Sequence, residues 1–112
     1  MNNEDLKVEL KRILLRHEGQ ALAITGRELA TMFGLKDDRQ VRHAIRDLIK
    51  DGLPVAANTE SPAGYFVVNN RREADRYASS IRSRLISDAI RRRDFRRAAD
   101  QYLTPAEQGI LI

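Results

Sequence analysis

Near the start of the chain, apolar residues recur at three- and four-residue intervals: Leu6, Leu10, Ile13 and Leu14, with Lys7, Lys11, Arg12 and Arg16 between them. That is the period of a helix with one buried face, and it predicts a helix over 4–17. Glu4 and Asp5 suit the positive end of its dipole, and Gly19 suits its stop. Gln20–Ile24 alternates weakly, which fits a small strand. Thr25-Gly-Arg-Glu28 has the form of a capping box. It opens a short second helix over 26–33 that turns Leu29, Ala30 and Phe33 inward and ends at Gly34, with Leu35 as a buried turn residue. Asp37-Asp-Arg-Gln40 gives another capping signal. The third helix it opens spans 38–51 and is stopped by Gly52 and Pro54.

After that helix the period changes. Residues 54–58 and 64–68 read as two strands, and Thr59-Glu-Ser-Pro-Ala63 between them is turn chemistry. Two short helices joined by a brief turn, then a hairpin, predict a mainly α fold with a small β-hairpin: a winged helix-turn-helix over 1–70. The remainder, 71–112, reads as a C-terminal helical extension. A helix over 72–93 carries a stripe of Ala74, Tyr77, Ala78, Ile81, Leu85, Ala89 and Ile90. A further helix over 95–102 carries Phe95, Ala98, Ala99 and Tyr102. Thr104-Pro-Ala-Glu107 suits one more turn, and the apolar tail Ile110-Leu111-Ile112 suits packing back on a groove.

The third helix carries the chemistry. At about 100° per residue, Val41, Ala44, Ile45, Leu48 and Ile49 share one face, and Arg39, His43, Arg46 and Lys50 fall at about 140° to 200° from Val41. Gln40 and Arg42 flank that cationic stripe. Arg pairs with guanine O6 and N7 in the major groove, and Gln pairs with adenine. Arg39, Gln40, Arg42 and His43, toward the N-terminus, are therefore expected near base edges, and Arg46 and Lys50 at phosphates or a partner. Arg27, at the start of the second helix, is a further phosphate candidate. The alternative is a plain solvated face, with Asp47 and Asp51 pairing the Arg residues.

Arg27–Leu35, Val41-Arg-His-Ala-Ile45, Leu48–Val55 and Gly64-Tyr-Phe66 together resemble the winged helix-turn-helix of the biotin-repressor type. The Gly64-Tyr65 pair at the entry to the second strand is its most telling part. Gly64 supplies a backbone geometry closed to other residues, and Tyr65 packs under the wing. Glu73–Arg84 resembles the helix that follows the wing in small prophage and bacterial helix-turn-helix proteins. The resemblance implies double-stranded DNA as partner and transcription regulation as task. It does not extend to biotin chemistry, since nothing here resembles a biotin-binding or ligase portion. Two departures stand out. The turn before the third helix is one residue longer, through Lys36-Asp37-Asp38. The wing tip has no Lys or Arg, which leaves Asn58, Thr59 and Ser61 as neutral contact candidates beside Glu60, a side chain phosphate would repel.

Composition sets the remaining bounds. Over 112 residues, 42% are hydrophobic and 32% charged, a globular profile with a net charge of +4. Residues 1–70 hold ten Lys/Arg and ten Asp/Glu, whereas 71–103 hold ten Arg and five Asp/Glu. The densest positive charge is Arg91-Arg92-Arg93 with Arg96 and Arg97, candidate phosphate contacts that would partly replace the missing basic wing. The other reading of these five is a helix end or a solvated face. The stripe over 74–90 needs a cover, either the body beside Leu6, Leu10 and Leu14 or the same helix of a second subunit. A homodimer would set two reading helices about 34 Å apart on DNA. With no cysteine and only His17 and His43, neither disulfide nor metal site is expected. No cofactor motif and no catalytic set is evident, so a binder is expected and not an enzyme. No apolar run spans a bilayer and no secretory signal is evident, so a cytoplasmic, nucleoid-associated protein without a ligand-sensing domain is expected. The competing expectation is a winged-helix adaptor in a replication or phage-related assembly, its Arg stripe meeting an acidic protein.

Overall fold

The computed structural model describes residues 1–103. It is mainly helical with a small two-stranded antiparallel hairpin. The expected turn at 104–107 and the apolar tail 110–112 lie outside the described residues. The chain divides into two compact units, one spanning Met1–Tyr77 and the other beginning at Ala78.

In the first unit, helix α1 (Asn3–Leu14) is capped by Asn2, whose side-chain oxygen accepts from the Asp5 backbone N–H at 2.8 Å. Helix α2 (Gly26–Met32) begins with a complete capping box: Thr25 Oγ1 accepts from Glu28 N, and Glu28 Oε1 accepts from Thr25 N. Helix α3 (Arg39–Lys50) buries Val41, Ala44, Ile45 and Leu48. These pack with Leu6, Leu10 and Leu14 of α1 and Leu29 of α2 in one core, against which Phe33, Leu35 and Tyr65 are half-buried. Strands β1 (Val55–Asn58) and β2 (Gly64–Val67) close this core, with Val55 opposite Val67 and Asn58 opposite Gly64. Lys7 Nζ meets Asp51 Oδ2 at 2.8 Å and ties α1 to the end of α3.

Several expectations change. Residues 20–24 do not form a strand: Gln20–Leu22 is a 3-10 turn, closed by the Ala23 N–H donating to Gln20 O. The segment still lies along β2, where Gly19 N donates to Val67 O and Ile24 exchanges both backbone bonds with Tyr65. β2 thus has a partner on each edge, β1 on one and this broken segment on the other. Asp38 precedes α3, but its side chain makes no cap; the Arg39 N–H is satisfied instead by Asp37 Oδ1 at 3.0 Å. Ile49, expected inward, is 44% exposed. At about 80° from Val41 it sits at the edge of the buried face and is only partly covered.

The two expected C-terminal helices are one. Helix α4 (Arg71–Tyr102) runs 32 residues without interruption. Residues 93–95 contain neither Gly nor Pro, so the apparent gap in apolar residues breaks nothing in the backbone. Its start is fixed within the first unit. Asn70 Oδ1 accepts from Glu73 N, and the Glu73 carboxylate accepts from the backbone N–H groups of Asn69 and Gln20. No α4 residue is buried. Leu6, Leu10 and Leu14, offered as a cover for its stripe, are enclosed by the first unit's own core. Ile90 leaves the stripe altogether, because nine residues at about 100° each place it about 180° from Ile81.

Candidate nucleic-acid interface

The face of α3 opposite its buried side is built by default. Once Val41, Ala44, Ile45 and Leu48 point into the core, Arg39, His43, Arg46 and Lys50 must point away from it, and all four are exposed. Arg39, Arg46 and Lys50 form no ion pair within 4.0 Å with any described residue. Of the acidic residues suspected of neutralising this face, Asp51 is engaged by Lys7, and Asp47 forms no ion pair within 4.0 Å with a described residue. The Asp51 hydrogen bond, with the Asp51 charge behind it, raises the Lys7 pKa above its ordinary value of 10.5. The stripe keeps its charge because α1 supplies the counter-cation for Asp51.

The flanks differ from the centre. Arg42 Nε lies 3.4 Å from Asp38 Oδ1, so its guanidinium is already matched, beside the start of α2. Tyr65 stands in the same place. Burial first, and the Asp38 charge second, push its phenol above the ordinary pKa of 10.0, against an opposing pull from Arg42. Gly26 leaves room for both: a β-carbon there would lie 2.9 Å from Asp38 Oδ2 and 3.3 Å from Tyr65 Cε2. On the other flank, Gln40 and His43 line a shallow depression of about 150 Å³ with Asn3, Ala44 and Asp47.

Arg27 stands apart from the stripe. It lines a groove of about 200 Å³ between α2 and the turn before α3, together with Lys36, Asp37 and Asp38. Lys36 is a cation that the sequence pattern did not single out; the signal was its place in the longer turn leading into α3. At the hairpin tip Thr59 and Ser61 are exposed, but Asn58 is half-buried and used internally, its amide donating to Glu60 O at 3.0 Å. Glu60 itself is exposed. His17 Nδ1 lies 2.7 Å from Leu22 O, and since a carbonyl can only accept, Nδ1 carries the proton.

The Arg residues of α4 form no single surface. At about 100° per residue, Arg91, Arg92, Arg93, Arg96 and Arg97 spread over about 240° of the helix circumference. Arg91 pairs with Asp88 at 3.5 Å, and Arg93 with Asp94 at 3.2 Å. The helix continues to Tyr102, so Arg91–Arg93 do not sit at its negative end, and the end-of-helix explanation fails.

Among the described residues there is no cluster of His, Asp or Glu able to hold a metal ion, and no helix is long and apolar enough to cross a membrane. No protein-family model, curated protein or solved structure matches the chain.

Proposed function

We propose that the first unit is a winged helix-turn-helix that binds double-stranded DNA through α3, as a sequence-specific transcription regulator. The observation that carries this reading is the unpaired stripe of Arg39, Arg46 and Lys50 on a helix whose opposite face is locked into the core. A rigid helix with uncompensated guanidinium groups on one side suits the major groove, where Arg reads guanine bidentately. Arg39 and His43 are the base-reading candidates and Arg46 and Lys50 the phosphate contacts. Gln40 and Arg42 reach DNA from the flanks, Arg42 only by releasing Asp38. Arg27 and Lys36 serve the backbone beside them.

The wing has a supporting role here: with Asn58 closing its own turn, only Thr59 and Ser61 remain as neutral contacts. The exposed Glu60 and the equal acid and base counts of residues 1–70 favour one second reading, an adaptor whose cationic stripe docks an acidic protein. Selection of bound duplexes from a randomised library by the full chain separates the two. A regulator recovers a sequence motif that an Arg39→Ala/Arg46→Ala variant loses. An adaptor recovers none, and the variant then retains whatever weak affinity the parent has.

A further inference from the structure

Helix α4 is unusual in having no buried residue over its length. Side chains suited to burial are exposed along it: Leu85 is 65% exposed and Phe95 71%. Helices in water draw most of their stability from packing an apolar face, and a bare one of this kind lacks that support. From Ala78 to Tyr102 one face follows an unbroken three-four alternation: Ala78, Ile81, Leu85, Asp88, Arg92, Phe95, Ala99 and Tyr102. That is the heptad seam of a coiled coil, with a single acid and a single base at its middle.

We propose that this seam pairs with the same seam of a second copy, antiparallel, about a two-fold axis at residue 90. In this register each position and its partner number sum to 180, and every a-type position faces a d-type position. Asp88 then faces the partner's Arg92, and Arg92 the partner's Asp88. Leu85 meets the partner's Phe95. Ile81 meets the partner's Ala99, and Ala78 the partner's Tyr102, so large residues face small ones toward both ends. A parallel, in-register pair would set Asp88 on Asp88 and Arg92 on Arg92, and would leave Ala78 and Ala99 facing their own copies across gaps. Buried polar positions of this sort fix orientation and register in coiled coils.

The existing contacts leave the pairing free to form. Arg92 has no ion pair with a described residue, and Asp88 holds only the exposed partner Arg91 at 3.5 Å, a contact of little strength. The flanks oppose association, since Arg82 comes beside the partner's Arg96. Salt screens that repulsion, so the dimer tightens as ionic strength rises, the reverse of DNA binding. The pairing stands independently of the DNA reading, because none of its positions lies on α3.

The chain has no cysteine, which makes the test direct. Leu85→Cys and Phe95→Cys variants of the full chain are oxidised without DNA, singly and mixed. Antiparallel pairing yields an 85–95 cross-link in the mixture and little in either variant alone. A cross-link in each variant alone, or none in the mixture, overturns it. Sedimentation supplies the second arm. Asp88→Arg and Arg92→Asp should each weaken self-association by about tenfold or more, because each sets like charges face to face, and mixing the two variants should restore it. A parent chain that stays monomeric at micromolar concentration, or variants that associate as well as the parent, also overturns the proposal.

Discussion

Gly64 sits at φ +126°, and a β-carbon there would collide with the backbone carbonyl of Ile24 and lie 2.7 Å from Thr25 N. The bond exchange between Ile24 and Tyr65 needs that close approach. Gly64→Ala should therefore destabilise the first unit by about 2–4 kcal/mol, combining an unfavourable backbone conformation with a backbone clash. Chemical denaturation of the variant checks this, and a loss no greater than that of a surface substitution would contradict it. Ionisable residues give a second prediction. The backbone bond from Thr25, then its hydroxyl bond, lower the Glu28 pKa below its ordinary 4.5. Its contribution to stability is thus present above that value and is lost as pH falls through the folded value. A Glu28→Gln variant should show a shallower loss of stability than the parent below pH 4.5. Tyr65 works in the opposite sense: its raised value means stability is lost as pH rises through the folded pKa, and Tyr65→Phe should flatten the decline above pH 10.0. Urea midpoints across pH read both limbs. What was legible at this scale was local. Thr25 and Glu28 cap within four residues, so their role could be read directly from the chain. The part Asp38 plays depends on Arg42, Tyr65 and Gly26 meeting in space, and no short pattern announces that.

At the scale of elements, the helices with one wet face were the most legible. The Val41-Ala44-Ile45-Leu48 period placed α3 to within a residue at each end, and the hairpin followed from its turn residues. The weak alternation over 20–24 suggests a strand, but only Ile24 pairs with β2, and the 3-10 turn at Gln20–Leu22 leaves no periodic mark in the sequence. Charged residues interrupt the apolar stripe near residue 94 and suggest two helices, yet interruption of polarity is not interruption of backbone, and α4 is continuous. Leu10 is wholly buried at the α1–α3 contact, and Leu10→Ala should cost about 2–5 kcal/mol through lost burial and a residual cavity. Leu22 lies in the 3-10 turn and is 54% exposed, so Leu22→Ala should stay within about 0.5 kcal/mol. Thermal or urea unfolding of the two variants side by side tests whether the core is ordered as described.

For the whole molecule, charge placement matters more than net charge. The sequence pattern found the stripe on α3 from angular positions alone. It could not show that Lys7 takes Asp51 away from that helix, which is what leaves the stripe uncompensated. On the DNA reading, duplex affinity falls with salt, and Arg39→Ala/Arg46→Ala should reduce the slope of log K against log salt by about two if both residues neutralise phosphates, and by less if Arg39 reads a base. The most direct measurement is methylation interference on a selected duplex, because guanine N7 methylation alters the major-groove edge that an Arg on α3 would read. Methylation at one or two motif guanines should block binding of the parent chain, and Arg39→Ala should lose sensitivity at one of them. Equal binding to methylated and unmethylated guanines at every position would mean that α3 does not read the major groove.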